Sequence, residues 1–328
     1  MGELTCLEIC AGAGGQSLGL EQAGFRHLAA VELDGYACET LALNRRSWHP
    51  IQTDLHDFDG RPFAGTDLLS GGVPCPPFSI AGKQLGAADE RDLFPQALRL
   101  VEECEPVAVM LENVRGLATE RFASYREQVV ARLECLGYQV HWQVLNACEF
   151  GVPQLRPRFI LVALVPEVAR HFRWPSAQGT PPTIGIALRD LMAADGWPGA
   201  DAWARNANGI GPTLVGGSRK HGGPDLGPTR ARAAWLKLGV DGKGVADAPP
   251  GRDHPIDHVP RLTVPMAAVV QGFPSVWRFS GRKTASYRQV GNAFPPPVAH
   301  AVGDSIRAAI QASRGSSPIR RERLLRAV

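Results

Sequence analysis

Leu4-Thr5-Cys6-Leu7-Glu8-Ile9-Cys10-Ala11-Gly12-Ala13-Gly14-Gly15 is a mostly apolar run of strand length that ends in a glycine-rich turn. A helical pattern over 15–23 follows directly. Further apolar runs at 27–32, 50–53, 67–70, 107–111 and 159–165 alternate with helical patterns at 35–44, 93–103 and 122–136. Strands that are apolar along their whole length are buried on both faces, and helices between them supply the crossover connections. The pattern predicts an α/β fold with a doubly wound, mostly parallel, Rossmann-like sheet.

The turn predicts a nucleoside site. Glycines between a strand and a helix let a ligand approach the backbone closely. Glu32 closes the second strand about 20 residues on, where a carboxylate can accept hydrogen bonds from ribose hydroxyls. Asp54 ends the third. A dinucleotide fingerprint needs a third glycine, and the match here is Gly12-x-Gly14-x-x-Ser17. That disfavours a nicotinamide cofactor; S-adenosyl-L-methionine, which has no pyrophosphate to seat, fits better.

With 44% hydrophobic and 20% charged residues among 328, the chain can bury a core and is not globally disordered. It holds no apolar run of 18, so no membrane span is expected, and no basic segment precedes an apolar one at the N-terminus. The seven cysteines are an odd number with no Cys-x-x-Cys pair, which argues against a disulfide framework and a structural metal. A reduced, cytoplasmic protein is expected. The net charge of +3 hides an asymmetry: residues 1–113 carry 7 basic and 17 acidic side chains, and the remainder is strongly basic. A basic part suits a polyanionic partner.

After about residue 175 glycine and proline become dense, as in 208–224, and helical patterning returns at 295–313. The expected organisation is a catalytic and cofactor-binding domain over 1–180 plus 287–313, a smaller loop-rich domain over 181–286, and a basic tail over 314–328.

The candidate reacting centre lies at later strand ends, where ligands gather on such sheets. One strand runs into Gly71-Gly72-Val73-Pro74-Cys75-Pro76-Pro77-Phe78-Ser79, a thiol on a stiff loop. Another runs into Glu112-Asn113-Val114. Partial desolvation there favours a protonated carboxyl, which can donate a proton. Gln154-Leu155-Arg156-Pro157-Arg158 then places alternate side chains on one side of an extended segment. Two arginines suit a phosphate or a polarised carbonyl oxygen.

In this order the motifs resemble those of the DNA (cytosine-5-)-methyltransferases of bacterial restriction–modification systems. The resemblance spans most of the chain and includes Gln271-Gly272-Phe273-Pro274 and Gly291-Asn292-Ala293. It implies methyl transfer from S-adenosyl-L-methionine to carbon 5 of a cytosine flipped out of double-stranded DNA. Cys75 would add to carbon 6, Glu112 would hold a proton at ring nitrogen 3, and Arg158 would hold the base carbonyl, with Arg156 beside it at phosphate or loop. Cys10, Ala11, Gly12, Gly14, Gly15, Glu32, Leu33, Asp54, Leu55, Pro74, Leu93, Asn292 and Ala293 carry over as the cofactor set. Glu32 would take the ribose, Asp54 the adenine amine and Asn292 the methionine end. Val73, Ser79, Asn113, Gln154 and Thr213 fall on the substrate side, and the segment over 79–92 resembles a loop that closes on DNA. A monomer with no metal, and a restriction endonuclease encoded nearby, complete the expectation.

The chain departs from the family pattern in places. Cys10 stands where the family usually has Phe against adenine, Pro76 where it has Gln, and Met266 and Val269 where it often has Glu and Arg. Arg205, Asn206, Asn208, Thr213, Arg219, Lys220, His221, Arg230 and Arg232, in the segment between 165 and 261, are the supply for base readout, with most of them expected at phosphate or plain surface. Three other readings compete. An amino-group methyltransferase would want Asp or Asn at position 75. An RNA cytosine-5 methyltransferase would have a smaller recognition segment. A catalytically silent DNA-binding relative would not need Cys75 and Glu112 together.

Overall fold

The computed structural model describes residues 2–74, 92–216 and 224–316. Cys75, Pro76 and Ser79, the loop over 79–91, the residues Arg219, Lys220 and His221, and the tail over 317–328 lie outside the described residues.

The chain alternates as expected through its first half: β1 (Leu4–Ile9), α1 (Gly15–Gln22), β2 (Phe25–Glu32), α2 (Gly35–Asn44), β3 (Pro50–Gln52), β4 (Leu68–Gly72), α3 (Phe94–Cys104), β5 (Ala108–Val114) and α4 (Ala123–Cys135). Then come β6 (Gln139–Asn146), β7 (Gln154–Leu155), β8 (Pro157–Leu164) and α5 (Pro166–Ala169). The later part holds α6 (Ile184–Ala193), α7 (Ala200–Asn206), β9 (Gly211–Pro212), α8 (Thr229–Lys237), α9 (Val264–Gln271), α10 (Lys283–Asn292) and α11 (Pro296–Ser316).

Seven strands form one sheet in the order β3-β2-β1-β4-β5-β8-β6, and β7 pairs with β9 in a second, two-stranded one. The strand order reverses between β1 and β4, and an open α/β sheet splits its helices at such a point to leave a crevice at the carboxyl ends. The glycine turn after β1 and Val73-Pro74 after β4 flank that crevice. β8 runs antiparallel between β5 and β6, so the arginine motif at its start reaches the same edge as Glu112 near the end of β5.

Local chemistry explains the elements. Asp34 caps α2, its side chain accepting from the Tyr36 and Ala37 amides. α3 buries Phe94, Ala97, Leu100, Val101 and Cys104, a stripe at helical spacing. α1 crosses α11 closely: a Cβ on Gly19 would lie 2.4 Å from the Pro296 carbonyl oxygen. At α9, Met266 replaces the acidic residue of a capping box. The Thr263 hydroxyl accepts from the Met266 amide, and the Met266 sulfur accepts from the Thr263 amide, each at 3.4 Å. The sulfur thus fills the position in an apolar setting, since Met266 is fully buried.

Two apolar clusters cover the faces of the main sheet. One packs α1 and α11 against Cys6, Leu68, Ala108, Met110 and Ile160. The other packs α3 and α4 against Leu7, Ile9, Leu69, Val109 and Leu161. A third gathers the helices of the later part around Trp203, Trp235 and Met266 and continues onto Leu18, Leu41 and Trp48.

Candidate active site

The glycine turn is held from three sides. Cys10, Gly12 and Gly14 have φ of 50°, 56° and 82°. The left-handed region is cheap for the glycines and costs the cysteine a strained backbone. The Gly12 amide donates to Glu32 Oε2 at 2.8 Å, and the Leu33 and Asp34 amides donate to Oε1 at 2.8 Å each. A carboxylate oxygen has two lone pairs, so Glu32 is locked in place with acceptor capacity left over. Across the turn, the Trp277 indole donates to the Ala13 carbonyl at 3.2 Å.

The crevice is a cavity of about 1310 Å³. Cys10, Ala11, Gly12, Glu32, Leu33, Asp54, Leu55, Pro74, Leu93, Asn292 and Ala293 all line it. Gly14 and Gly15 face the core instead. A Cβ on Gly14 would meet Leu41 Cδ2 at 2.8 Å, and one on Gly15 would meet the Phe294 carbonyl oxygen at 2.2 Å. Their role is close packing of α1 against its neighbours. Asp54 Oδ1 accepts from the His56 amide at 2.9 Å and pairs with His56 Nδ1 at 2.7 Å. The amide bond, then the ring, holds its carboxyl below the usual range. The Cys10 thiol is pushed far up by burial and by the charges of Glu32 and Asp54, so it stays a neutral, inert wall group.

Glu112 and Arg158 meet on the same cavity. Arg158 Nε is 2.8 Å from Glu112 Oε1. Burial raises the Glu112 carboxyl, and the charges of Arg158 and Arg156 partly oppose that. Burial likewise lowers Arg158, opposed by Glu112. Gly72 stands beside Glu112 in register across β4 and β5. A Cβ on Gly72 would lie 3.3 Å from Glu112 Oε2, so glycine keeps that oxygen open to the cavity. Asn113 Nδ2 donates to the Val73 carbonyl at 2.7 Å, which ties the end of β5 to the strap before Cys75. The Val73 carbonyl thus has one lone pair engaged.

Arg156 and Gln154 are both fully buried, and of the two contacts expected of Arg156, phosphate or loop, the structure shows the loop one. Arg156 Nη1 donates to the Leu214 carbonyl at 2.6 Å. Its Nη2 donates to the carbonyls of Gly291 at 2.7 Å and Ala293 at 2.9 Å. Burial and the nearby Arg158 depress its basicity, and Glu112 offsets this in part. Gln154 accepts from the Leu214 amide at 2.8 Å and donates to the Val270 carbonyl at 3.1 Å and to Gln271 Oε1 at 2.9 Å. Gln271 in turn donates to the Ala293 carbonyl. The motif is thus a buried junction at Gln154 and Arg156 and a cavity residue only at Arg158. Thr213 does line the cavity, its hydroxyl donating to the Leu155 carbonyl at 2.5 Å.

Glu8 and Gln16 also line the cavity. The one sequence signal for Glu8 is an acid between Leu7 and Ile9 in an apolar strand; nothing in the pattern marks Gln16. Trp277 escapes local pattern because its partner, the Ala13 carbonyl, lies far away in the chain.

The chain belongs to the C-5 cytosine-specific DNA methylase family, whose profile matches residues 4–308. It is a DNA (cytosine-5-)-methyltransferase by that membership. The Type II methyltransferase M.NaeI of Lentzea aerocolonigenes is 58% identical over 94% of this chain and 76% of that protein. The Type II methyltransferase M.NgoMIV of Neisseria gonorrhoeae is 49% identical over 93% of this chain and 97% of that one. The fold is shared with a prophage-encoded E. coli protein described as a DNA modification methyltransferase. Its TM-score is 0.65 at 22% identity, covering 94% of this chain and 99% of that chain.

Proposed function

We propose that the chain methylates carbon 5 of a cytosine flipped out of double-stranded DNA, with S-adenosyl-L-methionine as donor and Cys75 as nucleophile. One observation carries the reading: the buried Glu112–Arg158 pair opens onto the same cavity as Glu32 and Asp54, and the chain leaves that cavity at Pro74, one residue before Cys75.

The cavity residues fit such a donor. Glu32 and Asp54 are acceptors, suited to a ribose diol and an adenine amine, and Glu8 adds a third acid to a wall that would face a cationic ligand. Leu33, Leu55, Pro74 and Leu93 supply apolar contact for a base. Asn292 would hold the amino-acid end.

In the reaction the Cys75 thiolate forms a bond to carbon 6 while Glu112 places a proton on ring nitrogen 3. Arg158 holds the base oxygen and steadies charge as it develops. Electron density moves to carbon 5, and S-adenosyl-L-methionine supplies the electrophilic sulfonium methyl that carbon 5 takes. Transfer of the carbon-5 proton to water then expels the Cys75 thiolate with the sulfur–carbon 6 electron pair, and return of the nitrogen-3 proton to Glu112 restores the aromatic ring. Glu112 can play its part because burial lets it keep a proton and Arg158 fixes its orientation.

Residues 1–180 with 287–313 make the catalytic part in this reading, and 181–286 reads DNA. The enzyme acts as a cytoplasmic monomer within a restriction–modification pair. Among the described residues no helix is long and apolar enough to cross a membrane. Bisulfite sequencing of DNA from cells expressing the chain tests the activity. Protected cytosines in one recurring sequence are expected, and fully converted DNA would contradict the reading.

A further inference from the structure

We propose that His27 and Gln16 make this chain selective for the amino-acid end of the methyl donor, Gln16 by binding it and His27 as a positioning residue that acts through Glu8. The inference rests on the cofactor reading above.

Beneath the glycine turn, on the sheet face that α1 covers, polar side chains gather in an apolar setting. Glu8, Gln16, Ser17 and His27 are each no more than 3% exposed. His27 on β2 stands opposite Cys6 on β1, and Glu8 follows two residues along β1 on the same face. His27 Nε2 is 3.0 Å from Glu8 Oε2, with both side chains fully buried. As a carboxylate Glu8 can only accept, so the ring nitrogen donates. The Trp48 ring packs beside the imidazole, with centroids 5.1 Å apart.

This pair leaves much of the group unsatisfied. Glu8 Oε1, Gln16 Oε1 and Nε2, Ser17 Oγ and His27 Nδ1 are buried with no hydrogen-bond partner among the described residues. Buried polar groups are almost always paired, and an unpaired one costs free energy. Several at one place, with Glu8 and Gln16 on the cavity wall, mark a position for a polar ligand.

The glycine turn says which part of the donor reaches it. At one end Gly12 bonds Glu32, on the nucleoside side. At the other, a Cβ on Gly15 would lie 2.2 Å from the Phe294 carbonyl oxygen and 3.2 Å from Ala293 Cβ. Gln16 follows Gly15 directly, so it stands beside 292–294, where the amino-acid end is expected. That end carries an ammonium and a carboxylate. Glu8 Oε1 and Gln16 Oε1 are free to accept from the ammonium. Gln16 Nε2 is free to donate to the carboxylate, beside the N-terminal amides of α1, which favour an anion. His27 engages one oxygen of Glu8 and thereby fixes where the other one points.

The test is calorimetry on the full chain with two ligands. S-adenosylhomocysteine has the amino-acid end; 5′-methylthioadenosine keeps the nucleoside and the thioether and lacks it. The wild-type protein is expected to bind the first at least about 10-fold more tightly, the scale of a hydrogen bond to a charged group. Gln16→Leu is expected to weaken S-adenosylhomocysteine by about 10-fold and 5′-methylthioadenosine by less than about 3-fold. Its resistance to urea should hold or rise, because the change removes unpaired buried atoms. His27→Leu is expected to lose the same selectivity. His27→Gln, whose amide nitrogen can stand near the place of Nε2, is expected to recover it. If His27→Leu does not fold, His27→Asn, too short to reach Glu8, takes its place. Variants that fold and keep the wild-type ratio, or that weaken both ligands equally, would overturn the inference, as would a wild-type protein that binds the two ligands alike. A wild-type protein that binds neither would overturn the cofactor reading itself and the inference with it.

Discussion

Arg158 Nε lies 2.8 Å from Glu112 Oε1, with the two side chains only 12% and 11% exposed. The pair joins β8 to β5, two antiparallel neighbours whose register sets Arg158 opposite Val114. Two opposing effects fix the state of Glu112. Burial favours its neutral form, and the guanidinium favours its charged form, with burial the larger.

The sign of this balance gives a pH prediction. Arg158→Met removes the charge that lowers Glu112, so the carboxyl should keep its proton to higher pH than in the wild-type protein. Infrared difference titration of the carboxyl band, assigned with Glu112→Gln, reads this directly. A titration unmoved or shifted downward would show that Arg158 does not act on Glu112 electrostatically. The folded value lies above the ordinary 4.5. The proton on Glu112 therefore contributes stability that is present in full below 4.5 and is lost as the pH rises through the folded value.

Glu32 is predicted to do two things at once. It accepts from the Gly12, Leu33 and Asp34 amides, which leaves one lone pair on Oε2 for a ligand, and it lines the cavity. Glu32→Ala should weaken S-adenosylhomocysteine binding by about 10-fold or more, the scale of a lost charge-assisted hydrogen bond. The deficit should shrink for an analogue lacking the ribose hydroxyls. Equal deficits for both ligands would leave Glu32 as a support of the turn only.

Gly15→Ala tests the close approach of α1 to the chain before α11. The new methyl would start 2.2 Å from the Phe294 carbonyl oxygen and 3.2 Å from Ala293 Cβ. Overpacking of this kind costs about 1–3 kcal/mol. Urea unfolding should show that loss, with a parallel fall in cofactor affinity because Ala293 lines the cavity. A variant as stable as the wild type would mean that the crossing is looser than described.

Arg156→Ala should be among the most destabilising single changes. It takes the buried Arg156 donor from the carbonyls of Leu214 and Gly291, while the Ala293 carbonyl keeps Gln271. Each unsatisfied group costs about 1–3 kcal/mol. Chemical denaturation showing a loss under 1 kcal/mol, on the order of a single surface contact, would contradict the description of a buried junction.

Much of this was legible because it is local. Continuous apolar strands, the glycine turn and the acid at the end of β2 are each set by neighbours within a few residues. Gln154-Leu155-Arg156-Pro157-Arg158 shows where legibility stops. Alternation correctly puts three side chains on one side of an extended segment, but not how deep each one sits. Arg156 is buried by carbonyls 58, 135 and 137 residues away, and no pattern inside the motif could announce them. The later helices were hidden for another reason. α7 has only seven residues, α8 has nine and α9 has eight, and the glycine and proline between them dominate the composition. β6 is an edge strand with seven of its eight residues exposed or partly so, and the alternation of Gln139-Val140-His141-Trp142-Gln143-Val144 is the signal that could have found it.

The central claim is the covalent step at Cys75, and 5-fluorocytosine tests it most directly. Fluorine at carbon 5 cannot leave as a proton does, so an enzyme that has added to carbon 6 and transferred its methyl stays attached. The protein, duplex DNA with 5-fluorocytosine at every cytosine, and S-adenosyl-L-methionine are incubated and resolved under denaturing conditions. The account predicts a DNA-linked species whose peptide map places the bond at Cys75, absent in Cys75→Ala. Active enzyme that forms no linked species, or links through another residue, would contradict it.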